Sequence, residues 1–217
     1  MERHPKHLLP AFVDTCGEAG ARAPVTDIEG AGMDLLQRYS AAERGYHDIE
    51  HLTEVLAALE ELDCHAPEVR LAAWFHDAVY DGAPGRDEEL SAALAVRVLS
   101  ALDAPSQTAQ RVHDLVLVTA DHFPDEGDLE AALLCDADLA ILAAGPDRYA
   151  RYVAGVRKEY GHLDDDTFAR GRAAVLEALL GRTHLFATAE GRERWERRAR
   201  ENAAAELRQL KAVESDG

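Results

Sequence analysis

The chain has 217 residues, of which 47% are hydrophobic and 29% charged, and its formal net charge is −18. This length and composition predict one globular domain with a real core, and they exclude a disordered chain. Because such an acidic chain repels phosphate backbones, we expect no double-stranded nucleic acid as a partner. No uncharged apolar stretch approaches the roughly 18 residues of a membrane helix, so we expect no membrane partner either.

The cysteines and the first residues indicate a cytoplasmic protein. Residues 1–6 lack the apolar run of a secretory signal. Cys16, Cys64 and Cys135 are odd in number and share no spacing typical of metal-binding cysteines. We therefore expect thiols in a reducing compartment, rather than disulfide bonds or a zinc knuckle.

Apolar residues recur at three- and four-residue steps along most of the chain, which predicts an all-α fold. Leu52, Val55, Leu56 and Leu59 form one such stripe. Alternating strand-like runs with hairpin turns are missing from the sequence. In chain order, the predicted helices cover residues 28–39, 48–62, 67–80, 87–101, 106–120, 129–142, 147–159, 165–180 and 191–211.

We predict a single domain over residues 1–217, with a motif-bearing core at about 33–180 and an appended C-terminal helix at about 191–211. That helix mixes Arg and Glu at helical spacing, which favours a salt-bridged surface. Trp195 would anchor it to the core or to a second subunit. The C-terminal helix is therefore the candidate interface of a homo-oligomer.

His76 and Asp77 are the most informative pair of the chain. They lie side by side in an apolar segment that includes Trp74, Phe75 and Val79. A buried charge costs several kcal/mol unless it is paired, hydrogen-bonded or bound to a metal. The pair therefore predicts a buried site rather than a solvated turn.

Two other segments bring more side chains of the kinds that bind metals. His47 and His51 are four residues apart, so on a helix they would share one face. Asp136 and Asp138 lie in a second apolar run. Imidazole and carboxylate together suit Mn, Fe, Zn, Co or Ni. The sequence therefore predicts a site for one or two divalent transition-metal ions, whose identity it leaves open.

The order of these motifs resembles the HD superfamily of metal-dependent phosphohydrolases, and in particular a bacterial branch of predicted phosphohydrolases. The resemblance extends over about residues 33–180. The motifs that carry it are Tyr46-His47-x-x-x-His51, Phe75-His76-Asp77-x-Val79-Tyr80-Asp81, Asp87-Glu88-Glu89-x-Ser91-Ala92 and Asp136-x-Asp138-Leu139. It implies an HD-like helical bundle.

The resemblance also implies a metal-ligand set. His51 matches the first ligand of the family, and His76 with Asp77 matches its defining doublet. Asp138 matches the last ligand, and Asp136 is the competing assignment.

The implied reaction is hydrolysis of a phosphate ester of a small molecule by metal-activated water. Asp77 would bridge two ions or accept a proton from the water. His47 matches the residue that protonates the leaving oxygen in related phosphodiesterases, although Asp48 stands where those enzymes have Asn. A hydrogen bond to a metal ligand is the other role open to His47.

Several further residues are candidates for catalysis, metal binding or substrate contact. Glu88, as a catalytic group, and Glu89 belong to a segment that reads Asn-Glu-Glu in the related branch, but both also suit a helix N-terminus. His122 would be an additional metal ligand or a substrate contact. Arg44 would contact a substrate phosphate, as would Arg38.

A second doublet, His113-Asp114, lies largely off the apolar stripe formed by Val112, Leu115 and Val116. A solvated helix face explains it more simply than a metal site. His76-Asp77 is therefore the predicted ligand doublet.

The predicted partner is a small phosphorylated substrate, with a nucleotide among the candidates. Two other functions stay open. Some proteins of the HD fold use two irons and O₂, so a di-iron oxygenase is one alternative. The other is a metal- or nucleotide-binding regulatory module without turnover, because Asp48 and Asp87 depart from the family pattern.

Overall fold

The computed structural model describes residues 8–83 and 85–215, and in these ranges the only regular structure is helical, which confirms the all-α class. None of the helices described is long and apolar enough to cross a membrane. The first residues, which the sequence predicts to carry no secretory signal, lie outside the described ranges. The helices are α1 (Leu8–Glu18), α2 (Val25–Tyr39), α3 (Ile49–Glu61), α4 (Pro67–Phe75), α5 (Arg86–Ala101), α6 (Ser106–Val118), α7 (Leu129–Leu139), a 3₁₀ turn (Ala140–Ala143), α8 (Pro146–Glu159), α9 (Asp165–Leu180), α10 (Ala189–Gly191), a π-helical turn (Arg192–Glu196) and α11 (Arg197–Ser215).

Helix α1 was not among the predicted helices. Its Phe12 is fully buried and packs edge-on against Trp74, with ring centroids 5.0 Å apart. Pro10 falls in the first turn, where the missing N–H of proline removes no helical hydrogen bond. A proline this close to the start is therefore compatible with the helix.

The predicted helix over 67–80 is too long, because α4 ends at Phe75. Beyond it the chain turns towards α5, where the Ser91 hydroxyl accepts from the Val79 N–H at 3.0 Å and donates to the Val79 carbonyl at 3.2 Å. His76 and Asp77 therefore lie at the end of the helix and not within it.

Two apolar cores make up the interior. The first lies among α1 to α7 and contains Phe12, Trp74 and Phe75. The second lies among the 3₁₀ turn, α8, α9 and α11, and contains Tyr152 and Phe186. Trp195 packs against both cores, so it anchors the C-terminal segment within its own chain.

Helix α11 is also held by a buried ion pair. Arg172 on α9 donates to Glu206 at 2.7 Å, and both side chains are less than one-tenth exposed. The Tyr149 hydroxyl donates to the same carboxylate at 2.6 Å, and Arg172 also donates to the Tyr152 hydroxyl at 2.8 Å. The inner face of α11 is thus used within the chain, and the homo-oligomer interface on this helix stays a prediction.

We predict that Glu206→Ala lowers the free energy of unfolding by about 3–5 kcal/mol, because it leaves the Arg172 guanidinium buried and unpaired. The matched control is Glu201→Ala on the same helix, which breaks an exposed pair with Arg197 and should cost less than about 1 kcal/mol. Urea unfolding of both variants measures the difference. Equal losses would contradict the structural role of the buried pair.

Candidate metal centre

The first turn of α3 positions His51. Asp48 caps this helix, and its carboxylate accepts from the Glu50 N–H at 2.8 Å and the His51 N–H at 3.3 Å. Asp caps a helix as well as Asn does, so the departure at this position keeps the local structure. Because the helix begins after the cap, the expectation that His47 and His51 share a helix face is wrong.

The end of α4 positions the doublet. The His76 Nδ1–H donates to the Ala73 carbonyl at 2.8 Å, and this bond fixes the orientation of the imidazole. In the neutral ring, Nε2 then carries the lone pair that a metal ion needs. The Tyr39 hydroxyl donates to the Trp74 carbonyl at 3.3 Å and accepts from the Asp77 N–H at 3.3 Å, so the turn after the helix is held from α2.

Four side chains converge in a buried cluster. The Nε2 atoms of His51 and His76 are 3.1 Å apart, and Asp77 Oδ2 is 2.9 Å from the second and 3.3 Å from the first. Asp138 Oδ1 comes within 3.1 Å of His51 Nε2 and 3.6 Å of His76 Nε2. Donors around an ion with bonds of about 2.1 Å are separated by about 2.9–3.5 Å, so His51, His76 and Asp77 have the spacing of a coordination sphere.

The electrostatics of the cluster also suit a cation. Burial alone would raise the pKa of Asp77, but His76 and His47 outweigh it and hold that pKa well below its usual value. For Asp138 burial is likewise outweighed, by the charge of His76 and the hydrogen bonds from His122 and His51, and its pKa is also held well below the usual value. Two ionised carboxylates in a largely buried place are stabilised by positive charge, which a divalent ion supplies.

Asp136 and Asp138 face in different directions, as residues two apart on a helix must. Asp136 is fully buried and accepts from the Ala187 N–H at 2.6 Å, the Thr188 N–H at 2.9 Å and the Thr188 hydroxyl at 2.6 Å. A Cβ at Gly191 would collide with this carboxylate. Of the two candidates, Asp138 lies in the cluster and Asp136 anchors the segment before α10.

His122 extends the cluster through Asp138, because its Nε2 lies 2.8 Å from Asp138 Oδ2. The residue follows α6 in the left-handed conformation, with a φ of 53°. Arg182 holds this turn by donating to the Asp121 carbonyl at 2.7 Å and the His122 carbonyl at 3.2 Å. His122, the predicted additional ligand, is therefore close enough to Asp138 for both side chains to contact the same ion.

His47 lies beside the cluster and is held by Glu159, which sequence reasoning missed. The His47 Nδ1 is 2.8 Å from Glu159 Oε2, and the ring stacks on Tyr80 with centroids 4.0 Å apart. Glu159 Oε1 accepts from the N–H groups of Gly45, Tyr46 and His47 at 2.8–2.9 Å. Glu159 is 112 residues away at a charged helix end, so no local pattern indicates this contact.

The loop that carries His47 packs backbone to backbone against α8. A Cβ at Gly155 would lie 2.5 Å from the Gly45 carbonyl oxygen, so only glycine fits there. Glu159 is one helical turn after Gly155 and therefore reaches the same loop. An isolated glycine within a helical pattern is the one sequence feature that could have indicated this close packing.

The remaining predicted residues have other contacts. Glu88 Oε2 accepts from the Gly85 N–H at 2.6 Å at the start of α5, and Glu89 is exposed. Arg44 is buried and donates to the carbonyls of His47 at 2.5 Å and Ala78 at 3.4 Å. Glu88 thus holds the start of α5, and Arg44 joins the His47 loop to the turn after α4. Glu88 also borders the cavity described next.

The second doublet lies outside the cluster, as the sequence predicts. His113 Nδ1 is 3.0 Å from Asp114 Oδ1 in the same helix, and Gln110 donates to that carboxylate at 2.8 Å. The Asp114 side chain is about half exposed. Because this His-Asp doublet lies at the surface, substitutions in it can serve as controls for substitutions in His76-Asp77.

A cavity of about 610 Å³ opens beside the cluster. Asp77, Asp138, His47 and His122 all border it, as does the Tyr46 ring, which packs 4.6 Å from the ring of His51. This volume accommodates a small molecule, with the candidate metal ligands at one side.

Comparisons of the chain with protein-family models, with curated proteins and with solved structures give no match. The function is therefore proposed from the geometry and chemistry of the site, together with the resemblance of its motifs.

We predict that Asp77→Asn loses transition metal, because the amide removes the negative charge and one oxygen ligand. Wild type purified without chelator should hold about one or two equivalents by elemental mass spectrometry. Asp114→Asn in the exposed doublet makes the same chemical change and should retain the wild-type metal content. Equal metal content in all three proteins would contradict the site.

We also predict that Glu159 makes stability depend on pH. Burial raises the pKa of this carboxyl, but hydrogen bonds from His47 and the loop N–H groups lower it from 4.5 to about 2. The stabilisation is therefore present above the unfolded-state pKa and is lost as the pH falls towards the folded-state pKa. It amounts to about 3 kcal/mol above about pH 5 and about half of that at about pH 3.

The measurement is urea unfolding of wild type and Glu159→Gln across this pH range. The stability difference between the two proteins should shrink as the pH falls. A difference that stays constant with pH would show that the ionised carboxylate contributes nothing.

Proposed function

We propose that this protein is a cytoplasmic, metal-dependent phosphohydrolase with an HD-like helical bundle, which cleaves a phosphate ester of a small molecule. One observation carries the proposal: two imidazole nitrogens and two ionised carboxylates converge at the side of a cavity of about 610 Å³. The agreement between this cluster and the ligand set implied by the motifs supports it further.

A bound divalent ion, whether Mn, Fe, Zn, Co or Ni, would contribute Lewis acidity and lower the pKa of water. His51, His76, Asp77 and Asp138 would hold it. Asp77 also borders the cavity, so a carboxylate oxygen that the ion leaves free would lie where it can hydrogen-bond to a water there. The low exposure of the two imidazoles, 1% each, keeps bulk water away from this side of the site.

His47 is suited to protonate the leaving oxygen. Glu159 is ionised and accepts a hydrogen bond from the Nδ1–H of His47, which leaves Nε2 as the nitrogen that can exchange a proton. Stacking on Tyr80 restricts rotation of the ring. The pair therefore resembles other imidazole–carboxylate pairs, in which the carboxylate orients the ring.

The test is phosphate release from a panel of small phosphate esters after reconstitution with each candidate metal. We expect EDTA and Asp77→Asn to abolish release, while Asp114→Asn retains it. His47→Gln should lower kcat by about 100- to 10,000-fold with metal content unchanged, the range typical of a lost general acid. Intact metal binding without release from any ester would contradict the proposal and favour the regulatory module.

A di-iron oxygenase is the second candidate, because His122 lies 2.8 Å from Asp138 and could help to hold a second ion. It predicts two iron equivalents, O₂ consumption with an organic substrate and no phosphate release. His122→Ala should then lose about one equivalent and keep the other. Phosphate release by a protein that consumes no O₂ would exclude this candidate.

A further inference from the structure

The cavity has two chemically different sides. Asp77, Asp138, His47 and His122 form a polar part of its lining. Another part, here called the apolar wall, comes from the 3₁₀ turn, α8 and α9. Its members are Ile141, Leu142, Val156, Phe168, Val175 and Leu179. A ligand that fills the cavity therefore meets both polar groups and hydrocarbon.

The arginines that border the cavity already make contacts within the chain. Two arginines occur among its described lining residues. Arg172 is paired with Glu206 and bonded to the Tyr152 hydroxyl. Arg182 donates to two backbone carbonyls of the turn that carries His122. Arg172 is therefore neutralised by its carboxylate partner, whereas Arg182 keeps its charge, so at most one guanidinium of the described lining is left to pair with a phosphate.

Negative charge is abundant by comparison. Asp77, Asp138, Glu88 and Asp121 all border the cavity. Carboxylates repel a polyanion, and the metal ions of the cluster can offset this repulsion only at their own position. A single phosphate beside the cluster is compatible with these charges, whereas a chain of phosphates is disfavoured.

The apolar wall also disfavours a polar body on the substrate. Among the hydroxyls of the lining, Tyr152 accepts from Arg172, Thr167 donates to Asp164, and the buried Tyr46 hydroxyl has no partner. A sugar or a nucleobase placed against the wall would recover few of the hydrogen bonds that it loses to water, which is unfavourable. An aromatic or branched hydrocarbon body makes no hydrogen bonds to water and therefore loses none when it packs against the wall.

We propose that the substrate is a phosphate monoester with one phosphate group on an uncharged, largely apolar body. This inference rests on the proposed phosphohydrolase function and narrows it, since it disfavours the nucleotides that the sequence left open. The phosphate lies at the cluster, and the body lies against the apolar wall. The cavity volume admits a body as large as a fused aromatic ring system or a short isoprenoid chain.

The first test uses 1-naphthol and metal-free protein, so that neither metal nor turnover affects the result. We expect saturable binding in a fluorescence titration. Val175→Asp places a charge at a half-exposed position of the apolar wall and should weaken binding by about 10-fold or more. Val25→Asp makes the same change at an equally exposed site on α2, away from the cavity, and should bind as wild type does.

The second test compares kcat/KM for 1-naphthyl phosphate, glycerol 3-phosphate and ATP with metal-loaded protein. We expect the naphthyl ester to exceed the other two by about 10-fold or more, and Val175→Asp to reduce this preference mainly through KM. Circular dichroism and metal content confirm that each variant is folded.

The outcomes separate the two proposals. Phosphate release from none of these esters or of the wider panel overturns the phosphohydrolase function, and the substrate inference with it. Release from glycerol 3-phosphate or ATP as fast as from the naphthyl ester overturns the substrate inference alone. Absence of 1-naphthol binding to the metal-free wild type, or equal binding by Val175→Asp, also overturns it.

Discussion

The structure depends on the need to stabilise two ionised carboxylates, Asp77 and Asp138, in a largely buried place. Their neighbours are the two buried imidazoles of His51 and His76. The Asp48 cap holds the backbone of His51, and a hydrogen bond to the Ala73 carbonyl orients the ring of His76. All these groups lie at helix ends, where the chain can turn and several helices can converge. The cluster is therefore a consequence of where α3, α4 and α7 begin and end.

The chain after α7 contributes no member of the His51, His76, Asp77 and Asp138 cluster, but it holds the residues around it. Glu159 on α8 holds the loop of His47, and Arg182 after α9 holds the turn of His122. Asp136 fastens the segment before α10, and this in turn leads into the buried contacts of α11. The two apolar cores thus have different tasks, because the first positions the cluster and the second positions the residues around it.

The sequence was sufficient for most helices, since their apolar stripes repeat at helical spacing. It also located His76-Asp77, because a carboxylate in an apolar run has few explanations. It did not predict the end of α4, where the chain turns to bond with Ser91. The helix predicted over 48–62 already left His47 outside, but the expected common face of His47 and His51 was wrong, because the Asp48 cap starts α3 after His47. The Glu159 contact joins residues 112 positions apart, and the orientations of Asp136 and Asp138 follow from packing, which periodicity alone does not determine.

Helix α8 both lines the cavity and holds the loop of His47. Val156 belongs to the apolar wall, Gly155 touches the backbone of the His47 loop, and Glu159 holds the ring of His47 itself. A shift of this helix that reshapes the cavity must also move the imidazole. If the proposed function holds, a redesign of the cavity through α8 would change selectivity and the position of His47 together, whereas a redesign through α9 would change the wall alone.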